Sequence, residues 1–220
     1  MKTRITNRKS TSAFSLIELL VVVTIIGIIG AFAVPAVGSL LKGSSMTQAA
    51  NLIADQTASA RQYALTKNRS VEVRFYTFVD PELPGDTSQY RALQFLEIGD
   101  GGIPNPVGKF ARLPDSVVMN PSAALSSLLN VSTTPTTPGV NDPDLPRGVV
   151  RNYKYIAFRF LPDGSTSLSA TAGPASGKWF LTAHLLSDLP RATGSTPPPN
   201  FFTWMIDPVS GAMKILRPGV

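Results

Sequence analysis

The chain has 220 residues, with 20 Lys plus Arg, 14 Asp plus Glu, one histidine and no cysteine, for a formal net charge of +6. Without cysteine there is neither a disulfide framework nor a thiolate metal site. A lone His184, with no Gly-x-Ser-x-Gly elbow and no phosphate-binding glycine loop, gives no basis for hydrolytic or nucleotide chemistry, so the expectation is a protein that is not an enzyme. Four of the cations (Lys2, Arg4, Arg8 and Lys9) lie before Ala13, and the remainder of the chain is close to neutral. The high overall charge therefore argues little for nucleic-acid binding.

After this basic leader comes Ala13-Phe14-Ser15-Leu16-Ile17-Glu18, then an apolar run to Val37 interrupted by no other charge. From Phe14 to Val37 are 24 residues. As a helix they rise about 36 Å, against a bilayer core of roughly 30 Å. The cluster of cations before the run predicts a cytoplasmic N-terminus and an outer C-terminal portion. A carboxylate within such a segment is costly and by default has a function. Ala31-Phe32-Ala33 also offers an A-x-A-like site, so a secretory signal peptide cut after Ala33 is an alternative. Glu18 inside the apolar stretch and helical patterning beyond Pro35 oppose it.

These N-terminal residues resemble the type IV prepilin family, which commonly has Gly where this chain has Ala13. The resemblance implies cleavage by prepilin peptidase between Ala13 and Phe14, N-methylation of Phe14, and pairing of Glu18 with the Phe14 amine of a neighbouring subunit during filament assembly. Pro35 falls where pilin-like helices carry a proline, and its missing N–H predicts a kink.

Beyond Pro35, Ala49, Leu52, Ile53, Gln56, Ala60, Tyr63 and Ala64 recur at three- and four-residue steps, the stripe of an amphipathic helix reaching about Thr66. Strand signals follow. Val71, Val73 and Phe75 alternate with Glu72 and Arg74, predicting a half-buried strand. Further strands are expected over 90–98, 110–119, 153–161, 166–170, 179–186, 201–206 and 213–216, with a short helix over 122–129. The Thr/Pro/Asp-rich stretch 131–148 reads as an exposed loop. The expected organisation is a leader (1–13), a membrane or filament-core helix (14–37), its amphipathic continuation (38–67) and a β-rich periplasmic head (68–220). The fold class is α+β, pilin-like: a long helix, hydrophobic and then amphipathic, packed on an antiparallel sheet.

Phe158-Arg159-Phe160-Leu161-Pro162-Asp163-Gly164-Ser165, the Leu113-Pro114 step and Pro208-Val209-Ser210-Gly211 resemble the minor pseudopilin H and FimT-like group, and the Verru_Chthon cassette protein D set of prepilin-like proteins. The resemblance implies a minor subunit of a type IV pilus or type II secretion pseudopilus, with other pilin or pseudopilin subunits, the prepilin peptidase and the bacterial inner membrane as partners. FimT-like proteins can serve DNA uptake, and Arg151 and Lys154 are the candidate phosphate contacts, beside Arg147 and Arg159. The near-neutral mature charge favours ordinary surface cations. Asp142 and Asp144, with Asn141, and separately Asp100, are hard-oxygen candidates for calcium, although Asp in a solvated turn explains them more simply. No other cofactor is expected. Trp179, Phe180, Phe201, Phe202 and Trp204 read as core rather than a stacking platform, and His184 as a surface or partly buried structural histidine.

Overall fold

The computed structural model describes residues 15–83, 85–171, 177–192 and 194–217; the side chains of 32–40 lie outside that description. Contacts divide the chain into two units, Met1–Leu41 and Lys42–Val220. One helix, α1 (Leu16–Lys67), contributes to both. Pro35 lies within its span, and the predicted kink there falls on a side chain outside the described residues.

In the second unit α1 is held by a stripe of small residues. Ala49, Ala50, Ile53, Thr57, Ala60 and Ala64 are all buried, at the three- and four-residue steps of one helical face. Alanine brings the helix backbone close to the sheet, and the buried Thr57 hydroxyl donates to the Ile53 carbonyl at 2.6 Å instead of seeking an outside partner. The helix ends in a left-handed Asn68 (φ 52°), with the Arg69 N–H donating to the Ala64 carbonyl at 3.3 Å. This satisfies a terminal carbonyl in the Schellman manner.

Among the described residues the sheet has nine strands: β1 (Val71–Phe78), β2 (Gln89–Ile98), β3 (Pro104–Pro106), β4 (Ala111–Arg112), β5 (Val117–Met119), β6 (Tyr153–Phe160), β7 (Trp179–Leu185), β8 (Phe201–Ile206) and β9 (Met213–Leu216). Its order is β6-β1-β2-β5-β7-β8-β9, with β3 and β4 also pairing to β2, and every described pairing is antiparallel. Val73, Phe75, Phe95, Phe158, Phe160, Trp179, Phe202 and Trp204 form the core together with the α1 stripe. The fold class is thus α+β, a helix laid on an antiparallel sheet.

Several boundaries differ from expectation. The expected strand 110–119 is broken into β4 and β5 around Leu113-Pro114, where the Val117 N–H donates to the Pro114 carbonyl at 2.8 Å in a turn. Residues 166–170 form no strand, only a bridge between Phe160 and Thr166. The Thr166 hydroxyl instead donates to the Pro208 carbonyl at 2.9 Å. The predicted helix over 122–129 is a 3-10 turn at Ser127–Asn130. Where β5 is too short to flank β7 fully, Ser126 and Ser127 take its place. Their hydroxyls accept from the N–H groups of Thr182 and Phe180 at 3.0 and 2.9 Å, and Ser127 donates to the Lys178 carbonyl at 2.8 Å.

β1 is buried along its whole length rather than on one face. Tyr76 and Phe78, two residues apart and so on one face of β1, both join a second apolar cluster with Ala92, Leu145, Val149 and Tyr153; the register shift opposite Tyr76 and Thr77 leaves Arg91 as the extra residue on β2. Leu145 comes from the stretch 131–148 expected to be an exposed loop, and Val149 follows directly after it. That stretch is partly buried because it covers the sheet face that carries Glu72 and Arg74.

Candidate functional site

At the N-terminal end, Ser15 and Glu18 are described while Ala13 and Phe14 lie outside the described residues. The predicted cleavage and methylation positions, and the partner of Glu18, are therefore outside the geometry. Helix α1 opens with the Leu19 N–H donating to the Ser15 carbonyl at 3.1 Å. Glu18 stands exposed in its first turn, where a negative charge favours the helix dipole. From Leu16 to Ile29, eleven large apolar side chains are 46–82% exposed. A helix apolar all round is stable only when something other than water surrounds it. At Gly27 and Gly30 no atom lies within 4 Å of the place a Cβ would occupy, so both are open to close approach. Among the described residues no helix is long and apolar enough to cross a membrane; the apolar run in the sequence continues to Val37.

In the head, the stretch 131–152 is organised by two arginines. Arg74, on β1, is buried and pairs with Glu72 and with Asp142, each at 2.6 Å, and lies 4.1 Å from the centroid of the Tyr155 ring. Burial works against its charge, and Asp142 and Glu72 outweigh that and raise its pKa. Glu72 also receives Arg159 at 2.9 Å. Arg151 donates from Nε to Asp144 at 2.9 Å, from Nη1 to the Gly139 carbonyl at 2.8 Å, and from Nη2 to the Val140 and Asp142 carbonyls at 3.1 Å each. A guanidinium has five N–H donors in a fixed fork, and here the fork is turned onto its own loop.

These contacts bear on two of the alternatives weighed from the sequence, calcium and phosphate binding. Asp142 and Asp144 are paired with Arg74 and Arg151, and Asp100 with Arg69 at 3.2 Å. The calcium candidates thus already hold guanidinium groups, and no cluster of metal-ligating side chains occurs among the described residues. Of the candidate phosphate contacts, Lys154 is exposed, but Arg151 is committed to loop oxygens and Arg159 to Glu72. Both Arg151 and Lys154 line a cleft of about 570 Å³ with Thr77, Ser88, Asn152 and Tyr153. Burial pushes the Tyr153 hydroxyl up to about 12, so it remains a neutral donor, bonded to the Pro143 carbonyl at 2.7 Å.

Sequence reasoning missed a second buried charge network. Asp80 is fully buried and accepts from the Glu82 N–H at 3.0 Å and from Arg112. Arg91, buried as well, pairs with Asp86 at 2.8 Å. Burial works against the Asp80 charge, but the Glu82 N–H and the Arg112 and Arg91 guanidiniums outweigh it and hold its carboxyl below the usual range. The available signal was Arg91 within the otherwise apolar run of β2. His184, expected at the surface or partly buried, is fully buried. Trp179, Phe202 and Trp204 fill the core, while Phe180 and Phe201 are half-exposed on the other face.

The family model for the prokaryotic N-terminal methylation motif matches residues 8–34. The match covers the end of the basic leader, Ala13-Phe14, Glu18 and the apolar run as far as Val34, so the likeness it establishes is to this N-terminal motif. Among solved structures, the chain is similar to the minor pseudopilin EpsH from the Type 2 Secretion System of Vibrio cholerae, at 12% identity over 81% of this chain and 98% of that one, with a TM-score of 0.37. A likeness so distant carries no argument about function. No curated protein gives a match.

Proposed function

We propose that this protein is a minor pilin or pseudopilin subunit, cut between Ala13 and Phe14, N-methylated at Phe14 and held in the inner membrane with its N-terminus cytoplasmic until it enters a type IV pilus-like or type II secretion pseudopilus filament. The observation that carries the reading is a helix with no self-made cover for its apolar surface and one carboxylate, Glu18, in its first turn. In a filament the neighbouring helices supply that cover. The new Phe14 amine of an adjacent subunit supplies the counter-charge, because an unpaired ion in apolar surroundings costs several kcal/mol. The head then presents its surface to partner subunits or cargo.

Sequencing the mature N-terminus tests this directly. Phe14 as the first residue supports it; Val34 would identify an exported globular protein released by signal peptidase. The rival role in DNA uptake is disfavoured by the saturation of Arg151. It predicts salt-sensitive DNA retention that is lost in an Arg151→Gln/Lys154→Gln double variant.

A further inference from the structure

His184 is the chain's one histidine. It is fully buried in β7. Its Nε2 lies 3.1 Å from Nδ2 of Asn120 and its Nδ1 lies 2.8 Å from the Leu185 carbonyl oxygen. An amide nitrogen only donates and a carbonyl only accepts, so the ring carries its proton on Nδ1 and offers Nε2 as acceptor. The Asn120 amide is itself oriented, because its Oδ1 accepts from the Ser122 N–H at 2.8 Å. Turning that amide over would serve a protonated Nε2 but would set the NH2 group against the Ser122 N–H. No arrangement of this joint satisfies a doubly protonated ring.

The surroundings offer little counter-charge. Val118 of β5 and Phe201 of β8 flank His184 across the sheet, and residues 120–130 contain no titratable side chain. Asp188, in the 3-10 turn Leu186–Arg191, is the charged group acting on the ring, and it also pairs with Arg191 at 3.7 Å. Burial lowers the His184 pKa; the bond to Leu185 and the Asp188 charge oppose this without overcoming it.

We propose that the Asn120–His184–Leu185 joint is an acid-responsive latch: proton uptake by His184 releases residues 120–130 from β7 and uncovers the β7 edge that Ser126 and Ser127 otherwise seal. The sign follows from linkage. The open form binds the proton at the ordinary 6.5 and the closed form only at lower pH. Opening therefore rises as pH falls below 6.5, by up to about tenfold per pH unit, and levels off below the closed-form pKa. No other side chain of this sequence ordinarily titrates between pH 5 and 7.5, so the response is attributable to one group.

The test uses the full-length protein in detergent micelles. Amide hydrogen exchange of residues 120–130, Phe180 and Thr182 is followed from pH 7.5 to 5 and corrected for intrinsic exchange. Wild type is expected to lose protection on acidification, and His184→Gln to show a flat profile. Asn120→Asp keeps an acceptor for the Ser122 N–H and supplies another for a protonated ring, so its profile is expected to reverse, with protection growing as pH falls. A pH-independent wild type, or either variant retaining the wild-type slope, would overturn the proposal. An NMR titration of the His184 ring in wild type gives a reading independent of variant folding: a midpoint at or above 6.5 would also overturn it.

Discussion

Arg74 occupies a place where an arginine is tolerated only in company. Both its carboxylate partners are also buried, and removing one leaves desolvated charge behind. Asp142→Ala should cost about 3 kcal/mol in urea unfolding, at the low end for a stranded buried charge because Glu72 still faces Arg74. The same substitution should raise proteolytic cleavage within 131–152. Asp80 gives a pH counterpart. Its folded-state pKa is lowered from 3.8, so its contribution is present above the unfolded value and is lost as pH falls through the folded one. Asp80→Asn should therefore flatten the acid limb of the stability profile below about pH 4. Val150 is a different case, a β-branched residue at φ 47° and half exposed. Val150→Gly should stabilise the protein by about 0.5–1 kcal/mol, because the left-handed region penalises a Cβ.

At the scale of elements, the pattern was most legible where one physical cause acted alone. The α1 stripe, its end near Thr66 and strands β6 to β9 could be read from period, alternation and turn residues. β3 could not, because Pro104 and Pro106 lack the N–H that a strand reading counts on. The full burial of β1 could not be read either. Its Glu72 and Arg74 alternate as a solvated face would, and only the distant Asp142 and Tyr155 make that face an interior. Glu18 was legible as a site because a charge among apolar residues stands out. The Asp80–Arg91–Arg112 network was not, since charges near turns look ordinary. Arg61 shows how remote elements meet: its Nε and Nη2 donate to the carbonyls of Gly164 and Ser210 at 3.2 and 2.9 Å, joining two hairpin turns to α1. Gly211 has φ +64°, and a Cβ there would overlap the Gly164 carbonyl oxygen. Gly211→Ala should lower stability by about 3 kcal/mol, measured by thermal unfolding.

For the whole molecule, two outcomes test the subunit reading. Glu18→Ala should leave leader removal largely intact yet prevent entry into filaments beside wild-type subunits; normal entry would remove the charge pair from the mechanism. A chain beginning at Gly43 should remain monomeric by sedimentation, since the uncovered apolar helix is gone. The serine pair flanking β7 has a consequence of its own. A strand border usually invites any extended peptide that drifts past, and proteins blunt it with charge, proline or brevity. Here two hydroxyl groups occupy the hydrogen-bonding slots that a stray chain would need. Crowded copies of the chain are thereby denied a template for amyloid-like stacking at that border, at the expense of two small side chains and one turn.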